Sequence, residues 1–229
     1  IYGGFAGTET ALAERNLAAG HETILSGDID QDGTPGGNSY HVLVFDGGDR
    51  IGPDVTANVT PATVLDGVTV TGGQADGSFP DSYGGGLYCD GQGGGNACSP
   101  QITGVIFTGN AASDGGGAIY NDSISGGLSS PPITNVTFIG NTASDGGAIY
   151  NNGASSGTSS PHITNAAFTG NIATGSALRS SGDGGAIYNL GASSGTSSPV
   201  VTNATFTGNT ASNQGGAIYN DGASFGRSS

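Results

Sequence analysis

The apolar positions of the chain keep no single alternation, and their spacing changes at asparagine and glycine. Within residues 133–138 (ITNVTF), the step from Ile133 to Val136 is three residues and the step from Val136 to Phe138 is two. A step of two continues one face of a β-strand, whereas an odd step changes the face. The pattern therefore predicts two short strands with a bend at Asn135, and no helical period crosses the segment.

This segment belongs to a unit that is repeated four times. Phenylalanine recurs at intervals of 31, 30 and 38 residues, each time in the sequence F-x-G-N. A second block, G-G-A-I-Y-N, occurs at residues 116–121, 146–151, 184–189 and 215–220, with a degenerate copy at 84–89. The longest interval contains extra residues at 175–181. Such a period indicates a solenoid of stacked units.

The unit has the composition of one coil of a parallel β-helix. Bends are expected at Asn135 and Gly140-Asn141, and a third strand at 147–151, because Asn and Gly tolerate left-handed backbone. Three strands, two corners and one variable loop would complete a coil that climbs about 4.8 Å.

We therefore predict an all-β fold, a parallel β-helix of about seven to eight coils of roughly 30 residues. Residues 1–229 would form a single domain. Within it, residues 1–75 form irregular first coils, and residues 76–229 form the repeat coils.

Equivalent residues of successive coils would lie above one another as columns. Stacked parallel strands favour amide ladders, in which each side chain bonds to the next, and such bonds satisfy buried polar groups. The predicted asparagine ladders are Asn135, Asn165 and Asn203 at the first corner and Asn110, Asn141, Asn171 and Asn209 at the second. The predicted aromatic column is Phe107, Phe138, Phe168 and Phe206.

The paired G-G-A-I and F-x-x-N blocks resemble those of chlamydial-type polymorphic outer membrane proteins. They also resemble the bacterial right-handed β-helix repeat proteins of the pectin-lyase-like superfamily. The stretch from Ile1 to Asp28 and the segment 64–70 are similar to the first coils of secreted members. The resemblance implies that the β-helix is right-handed and that its location is extracellular or at the cell surface. It does not fix the function, because this fold carries adhesins, scaffolds, lyases and hydrolases.

The composition of the chain excludes further classes of function. Glycine accounts for 46 of the 229 residues, and the net charge is −14 with only four cations, all of them arginine. No basic groove for nucleic acid is expected, because no cluster of cations exists to neutralise phosphates. The sequence also lacks the run of about 18 apolar residues that a membrane-spanning helix requires.

An acidic segment near the start matches the first half of a calcium loop. Asp28, Asp30 and Asp32 alternate along the chain, and Gly33 permits the sharp turn that follows. The glutamate that usually stands at the twelfth place is replaced by Ser39. The segment predicts either a calcium site or a solvated acidic loop, and no other cofactor is expected.

A further column carries carboxylates. Asp114, Asp145 and Asp183 share one column, with Asn213 in the fourth copy. Repeated residues usually serve the repeat, so capping of a turn is favoured over lateral ion binding and over catalysis.

A tyrosine column follows the inward isoleucines, and two readings of it are open. If the isoleucines point inward, the tyrosines point outward and form an interaction stripe for sugar rings or for another rod. The alternative is that the Ser/Gly loops cover the column. Its members are Tyr88, Tyr120, Tyr150, Tyr188 and Tyr219.

Cys89 and Cys98 bracket the glycine-rich loop 90–97. Together with the secreted character that the resemblance implies, this spacing predicts a disulfide that closes the loop. The three histidines are scattered and match no zinc pattern.

Enzymes on this fold use either a basic residue beside calcium-binding carboxylates or clustered aspartates. Here Arg179, in the inserted loop, is the most interesting cation, but no unrepeated cluster of aspartate with arginine or histidine emerges along the chain. We therefore predict no enzyme but an extracellular scaffold, acting as a surface adhesin stalk or a self-assembling fibre subunit. The alternative is a carbohydrate-active enzyme or a polysaccharide-binding module on the same fold.

Neither end of the sequence reads as a cap. Ile1-Tyr2 begins as if within a strand, and the chain stops at Ser229, where earlier units continue into S-P. Either the chain is a fragment of a longer rod, or its open strand edges pair with neighbouring molecules. The expected partners are other copies, end to end or side by side, and a polysaccharide or host surface.

Overall fold

The computed structural model describes residues 1–17, 20–48, 58–176, 181–223 and 225–229. Apart from one 3₁₀ turn at Leu12–Glu14, the regular elements of these residues are β-strands. Every strand pairing among them is parallel, and strands that follow one another in the chain belong to different sheets. This is the topology of a chain that winds around an axis.

Four stacks of strands run along that axis. The phenylalanine sheet contains Ile24–Ser26, Thr69–Thr71, Ile106–Thr108, Thr137–Ile139, Ala167–Thr169 and Thr205–Thr207. The tyrosine sheet contains Leu43–Asp46, Leu87–Asp90, Ile119–Asp122, Ile149–Asn152, Ile187–Leu190 and Ile218–Asp221. The isoleucine sheet contains Val64–Asp66, Gln101–Thr103, Pro132–Thr134, His162–Thr164 and Val200–Thr202.

The fourth stack, the short sheet, contains two-residue strands that the sequence did not predict. They are Gln74–Ala75, Ala111–Ala112, Thr142–Ala143, Ile172–Ala173 and Thr210–Ala211. A further pair joins Thr196–Ser197 to Arg227–Ser228. A strand of two residues leaves no alternation in the sequence, because alternation needs at least three positions to be seen.

The register of the stacks places identical residues opposite one another. Phe138 pairs with Phe107 on one side and with Phe168 on the other. Ile149 pairs with Ile119 and with Ile187. The repeat of the sequence is therefore a repeat in space, as predicted.

The corner between the isoleucine and phenylalanine sheets needs a left-handed residue in every coil. Asn135 has a φ of 55°, and Asn165 and Asn203 follow with 54° and 51°. In the two preceding coils glycine takes this place, with φ of 69° at Gly67 and 59° at Gly104. Asn and Gly are the residues that adopt this conformation at least cost.

The core lies inside the coils and consists of columns of like side chains. Phe107, Phe138 and Phe168 are fully buried, and their rings stack at centroid distances of 5.4 and 4.7 Å with interplanar angles of 6°. Ile133 and Ile163 are also fully buried. Each such side chain contributes about 1.5–3 kcal/mol by leaving water.

Together the sheets form a right-handed parallel β-helix, as the sequence predicts. The longest stacks hold six strands within the described residues. The count of seven to eight coils stays a prediction.

Candidate functional site

The exposed first corner carries an amide ladder. The Asn165 Nδ2 donates to the Asn135 Oδ1 at 3.0 Å, and the Asn203 Nδ2 donates to the Asn165 Oδ1 at 2.6 Å. These side chains are exposed to solvent. The ladder therefore links coils at a surface where water competes for each bond.

A second ladder lies at the next corner and is buried. The Asn141 Oδ1 accepts from the backbone N–H and from the Nδ2 of Asn110, each at 3.1 Å. The Asn141 Nδ2 donates to the Phe107 carbonyl oxygen and to the Asn171 Oδ1, each at 3.0 Å. Asn171 repeats this arrangement with Phe138 and Asn209. Each amide thus satisfies backbone groups at the corner of the preceding coil and bonds to the amide of the next coil.

A third ladder was missed in the sequence. Its side chains bond in series at 2.8, 2.8 and 2.7 Å through Asn121, Asn151, Asn189 and Asn220. The signal was present as the last letter of each G-G-A-I-Y-N block. In the coil before Asn121 the same place is taken by Cys89, which pairs in register with Asn121.

Serine hydroxyls make a further set of bonds between coils. The Ser159 Oγ donates to the Ser129 carbonyl oxygen, and the Ser197 Oγ donates to that of Ser159, each at 3.1 Å. All three residues are fully buried. The repeated S-S-P sequence marks this column, and its role in linking coils was also missed.

The tyrosine column lies inside the molecule. Tyr88, Tyr120 and Tyr188 are buried, and neighbouring rings along the column lie 4.6 to 5.5 Å apart. Tyr150 and Tyr219 are partly exposed. The outward interaction stripe proposed for Tyr88, Tyr120, Tyr150, Tyr188 and Tyr219 is therefore corrected to a covered column.

The correction has a physical cause, because the tyrosine sheet is covered on both faces. A Cβ atom added to Gly115 would lie 2.4 Å from Cδ2 of Tyr150, so the loop that leads into the G-G-A-I-Y-N block of the preceding coil packs directly on the ring. Isoleucines face the core, and tyrosines face this loop. Parallel sheets are commonly buried on both faces in this way.

The phenol groups of the column bond to the neighbouring coil. The Tyr88 hydroxyl donates to Oδ2 of Asp122 at 2.8 Å, and the Tyr120 hydroxyl accepts from Nδ2 of Asn152 at 2.6 Å. Burial raises the pKa of Tyr120 well above its ordinary value, and the charge of Asp122 raises it further. Burial likewise raises the pKa of Tyr188, with the charge of Asp221 next in effect. Tyr120 and Tyr188 are therefore neutral at neutral pH.

The aspartate column receives backbone amides. The Asp145 Oδ1 accepts from the N–H groups of Gly182 at 2.7 Å and Asp183 at 3.0 Å. The Asp183 Oδ1 accepts from the N–H of Gln214 at 2.8 Å. Burial raises the pKa of Asp145 even though these amide bonds lower it, and the charges of Asp183 and Asp114 also raise it. The arrangement caps turns of the following coil.

The acidic loop brings its three carboxylates together. Ligand atoms of Asp28, Asp30 and Asp32 all lie within 4.8 Å of one another. The Asp28 Oδ2 accepts from the N–H of Gly33 at 3.1 Å, which closes the turn. The Asp28 Oδ1 and the Asn38 Oδ1 are buried and accept no hydrogen bond from the described residues. Both residues line a cavity of about 280 Å³.

Cys89 and Cys98 form a disulfide with a Cα–Cα distance of 5.6 Å, and both residues are fully buried. Arg179, the cation of the inserted loop, lies outside the described residues. Among the described residues, no helix has the length and apolar character needed to cross a membrane.

In-register ladders along parallel stacks define the class of protein as a repeat-built parallel β-helix. The sequence profile of the Chlamydia polymorphic membrane protein repeat matches residues 104–122, 135–152, 165–190 and 203–221. Four segments of the chain thus match this repeat, which confirms the resemblance to polymorphic membrane proteins seen in the sequence. No curated protein and no solved structure matches the chain significantly.

Proposed function

We propose that the chain is a non-enzymatic part of a bacterial surface protein, serving as an adhesin stalk or as a subunit of a fibre. The observation that carries the proposal is that its repeated polar columns bond one coil to the next. Asn141, Tyr88 and Asp145 all direct their polar atoms to neighbouring coils. Side chains engaged in this way hold the coils together and are not available to act on a substrate.

Two observations support a location at the cell surface. The description of the matched repeat names a membrane protein. The disulfide between Cys89 and Cys98 suits an oxidising compartment, because cytosolic thiols are kept reduced.

Adhesion and catalysis can be tested on the same purified chain. Beads coated with it should adhere to cultured cells or to polysaccharide films more strongly than beads coated with a soluble protein of similar size. Incubation with acidic and neutral polysaccharides, with calcium present, should leave their chain lengths unchanged. Cleavage of any one polysaccharide would overturn the non-enzymatic proposal, and absence of adhesion would leave only the scaffold role.

Self-association, end to end or side by side, is part of the same proposal. Size-exclusion chromatography with light scattering, followed by electron microscopy, measures it directly. The fibre proposal expects assemblies whose proportion grows with concentration. A monomer at every concentration would refute it.

We also propose that the acidic loop binds calcium. Three carboxylates with ligand atoms within 4.8 Å of one another suit a hard cation. The Asn38 Oδ1 offers a further oxygen in the cavity that Asp28 lines. The unsatisfied Asp28 Oδ1 supports the proposal, because a buried carboxylate oxygen without a partner is costly.

Thermal unfolding with calcium and with a chelator tests this site. Calcium should raise Tm in proportion to the logarithm of its concentration, since a ligand that binds only the folded chain stabilises it. The variant D30N should lose the shift, whereas D76N, at an exposed acid elsewhere, should keep it. An equal shift in both variants, or no shift at all, contradicts a calcium site at this loop.

A further inference from the structure

One loop of the repeat region departs from the repeat and exposes an aromatic ring. Residues 76–83 (DGSFPDSY) form a compact turn in which the Gly77 N–H donates to the Asp81 carbonyl oxygen at 3.0 Å. The Asp81 N–H donates to the Ser78 carbonyl oxygen at 2.8 Å. Phe79, at the tip of this turn, is 58% exposed.

The turn is anchored on the buried tyrosine column. The Tyr83 ring lies 4.4 Å from that of Tyr120 and meets Tyr150 edge-on at 6.2 Å. Phe79 in turn meets Tyr83 edge-on at 6.0 Å. The exposed ring is thus the outer end of a continuous aromatic series that begins in the interior, and its position is fixed by packing.

A second exposed ring lies against the same turn. A Cβ atom added to Gly77 would lie 3.1 Å from Cζ of Tyr40 and 2.9 Å from Cβ of Asp81. Tyr40 therefore packs on the turn through Gly77, yet it remains 45% exposed. The Asp81 carboxylate stands beside it, 3.4 Å from the His41 ring. We name Tyr40, Phe79 and Asp81 the aromatic turn surface.

We propose that the aromatic turn surface binds a neutral sugar ring of a glycan. Aromatic faces contact the apolar face of a sugar ring, and a carboxylate oxygen accepts from its hydroxyl groups. The proposal rests on the proposed role in adhesion and names the chemical class of the partner.

Charge selects neutral glycans over acidic ones. Asp81 is part of the surface, exposed Asp76 begins the same loop, and the chain as a whole carries −14. A uronic acid or sulfate group would be repelled by these acids. A second copy of the chain is disfavoured for the same reason, because pairing through this surface would bring both acids of each copy together.

The position of the surface also favours binding. The packed ring series and the hydrogen-bonded turn hold both aromatic rings in place before the ligand arrives. Binding therefore costs little conformational entropy. This is the property that a tip-exposed phenylalanine on a mobile loop would lack.

Calorimetric titration with cellohexaose, xylohexaose, mannohexaose and trigalacturonate tests the proposal. At least one neutral oligosaccharide should bind, and trigalacturonate should bind more weakly. F79A should weaken binding by roughly tenfold, since an aromatic contact of this kind is worth up to about that factor. F79Y should keep most of the affinity, and D81N should weaken it.

The matched control is F225A, which removes a phenylalanine that is 97% exposed elsewhere on the rod. It should leave binding unchanged. Circular dichroism of each variant establishes that the fold is retained. No binding of any neutral probe at millimolar concentration, or equal affinity in F79A and F225A, overturns the proposal, as does loss of self-association in F79A without any sugar binding.

Failure here is distinguishable from failure of the adhesion proposal. Beads that adhere equally well with F79A refute the glycan surface and leave adhesion standing. Oligosaccharide binding without bead adhesion refutes adhesion and leaves the glycan surface standing.

Discussion

Removal of the Asn141 side chain measures how much the buried ladder contributes to the free energy of unfolding. The amide makes four hydrogen bonds, two at Oδ1 from Asn110 and two from Nδ2 to Phe107 and Asn171. At about 1 kcal/mol net for each bond, N141A loses roughly 4 kcal/mol. The Asn110 N–H and the Phe107 carbonyl oxygen are left buried without this partner, so the expected range is about 3–6 kcal/mol.

Urea unfolding followed by circular dichroism measures this loss. The matched control is N135G at the exposed first corner, where Gly67 and Gly104 stand in earlier coils with the same sign of φ. That variant loses one solvent-exposed bond and keeps the left-handed conformation, so it should cost under about 1 kcal/mol. A loss in N141A no greater than that in N135G would refute the argument that burial makes this ladder strong.

Three further outcomes are expected. The double variant C89S/C98S should lose about 2–3 kcal/mol, because the short loop it opens gains chain entropy when unfolded, and denaturant midpoints with and without reductant measure this. Because the folded-state pKa of Asp145 is raised, its contribution to stability is present at low pH and is lost as pH rises through that pKa. D145N keeps an Oδ1 acceptor and places in this column the residue type that the last copy has at Asn213. It removes the repulsion from Asp114 and Asp183 and should gain about 0.2–1 kcal/mol at neutral pH with a flatter pH profile. Because the folded-state pKa of Tyr120 is raised, its contribution to stability is present below about pH 10 and is lost as pH rises through that pKa, so its ionisation should accompany unfolding. Tyrosinate absorbance and circular dichroism measure the two together, and ionisation of Tyr120 in the folded chain would contradict its burial.

The coil itself could be predicted because the repeat of the sequence becomes a repeat in space. Phe138 and Phe168 are equivalent letters of the unit, and in-register pairing makes them direct neighbours. The corner at Asn135 was predictable for a local reason, since the change of step marks a change of face and asparagine tolerates the left-handed backbone found there.

The burial of the tyrosines could not be predicted from the same unit. Alternation says that Tyr150 and Ile149 face opposite sides of a strand, but it does not say what covers each side. The cover depends on the loop at Gly115, which belongs to the preceding coil and approaches the ring without a Cβ. Contacts of this kind are set by packing between coils rather than by local preference.

The aromatic turn surface was missed because it is not repeated. Phe79 and Tyr40 are separated by 38 other residues and match no unit. Only the contact of Gly77 with Tyr40 brings them to one place. A repeat in the sequence predicts the columns of equivalent residues. The surface proposed here for a partner is built from residues that lie outside the repeat.

The pairing of Ile149 with Ile187 shows that loop length and core register are independent in this rod. These residues are 38 positions apart, whereas Ile119 and Ile149 are 30 apart, and both pairs have the same register. The added residues alter neither neighbouring stack. A foreign peptide inserted between residues 174 and 182 would thus be displayed at a fixed height along the axis. The rod could therefore serve as a scaffold that presents an epitope at a defined position.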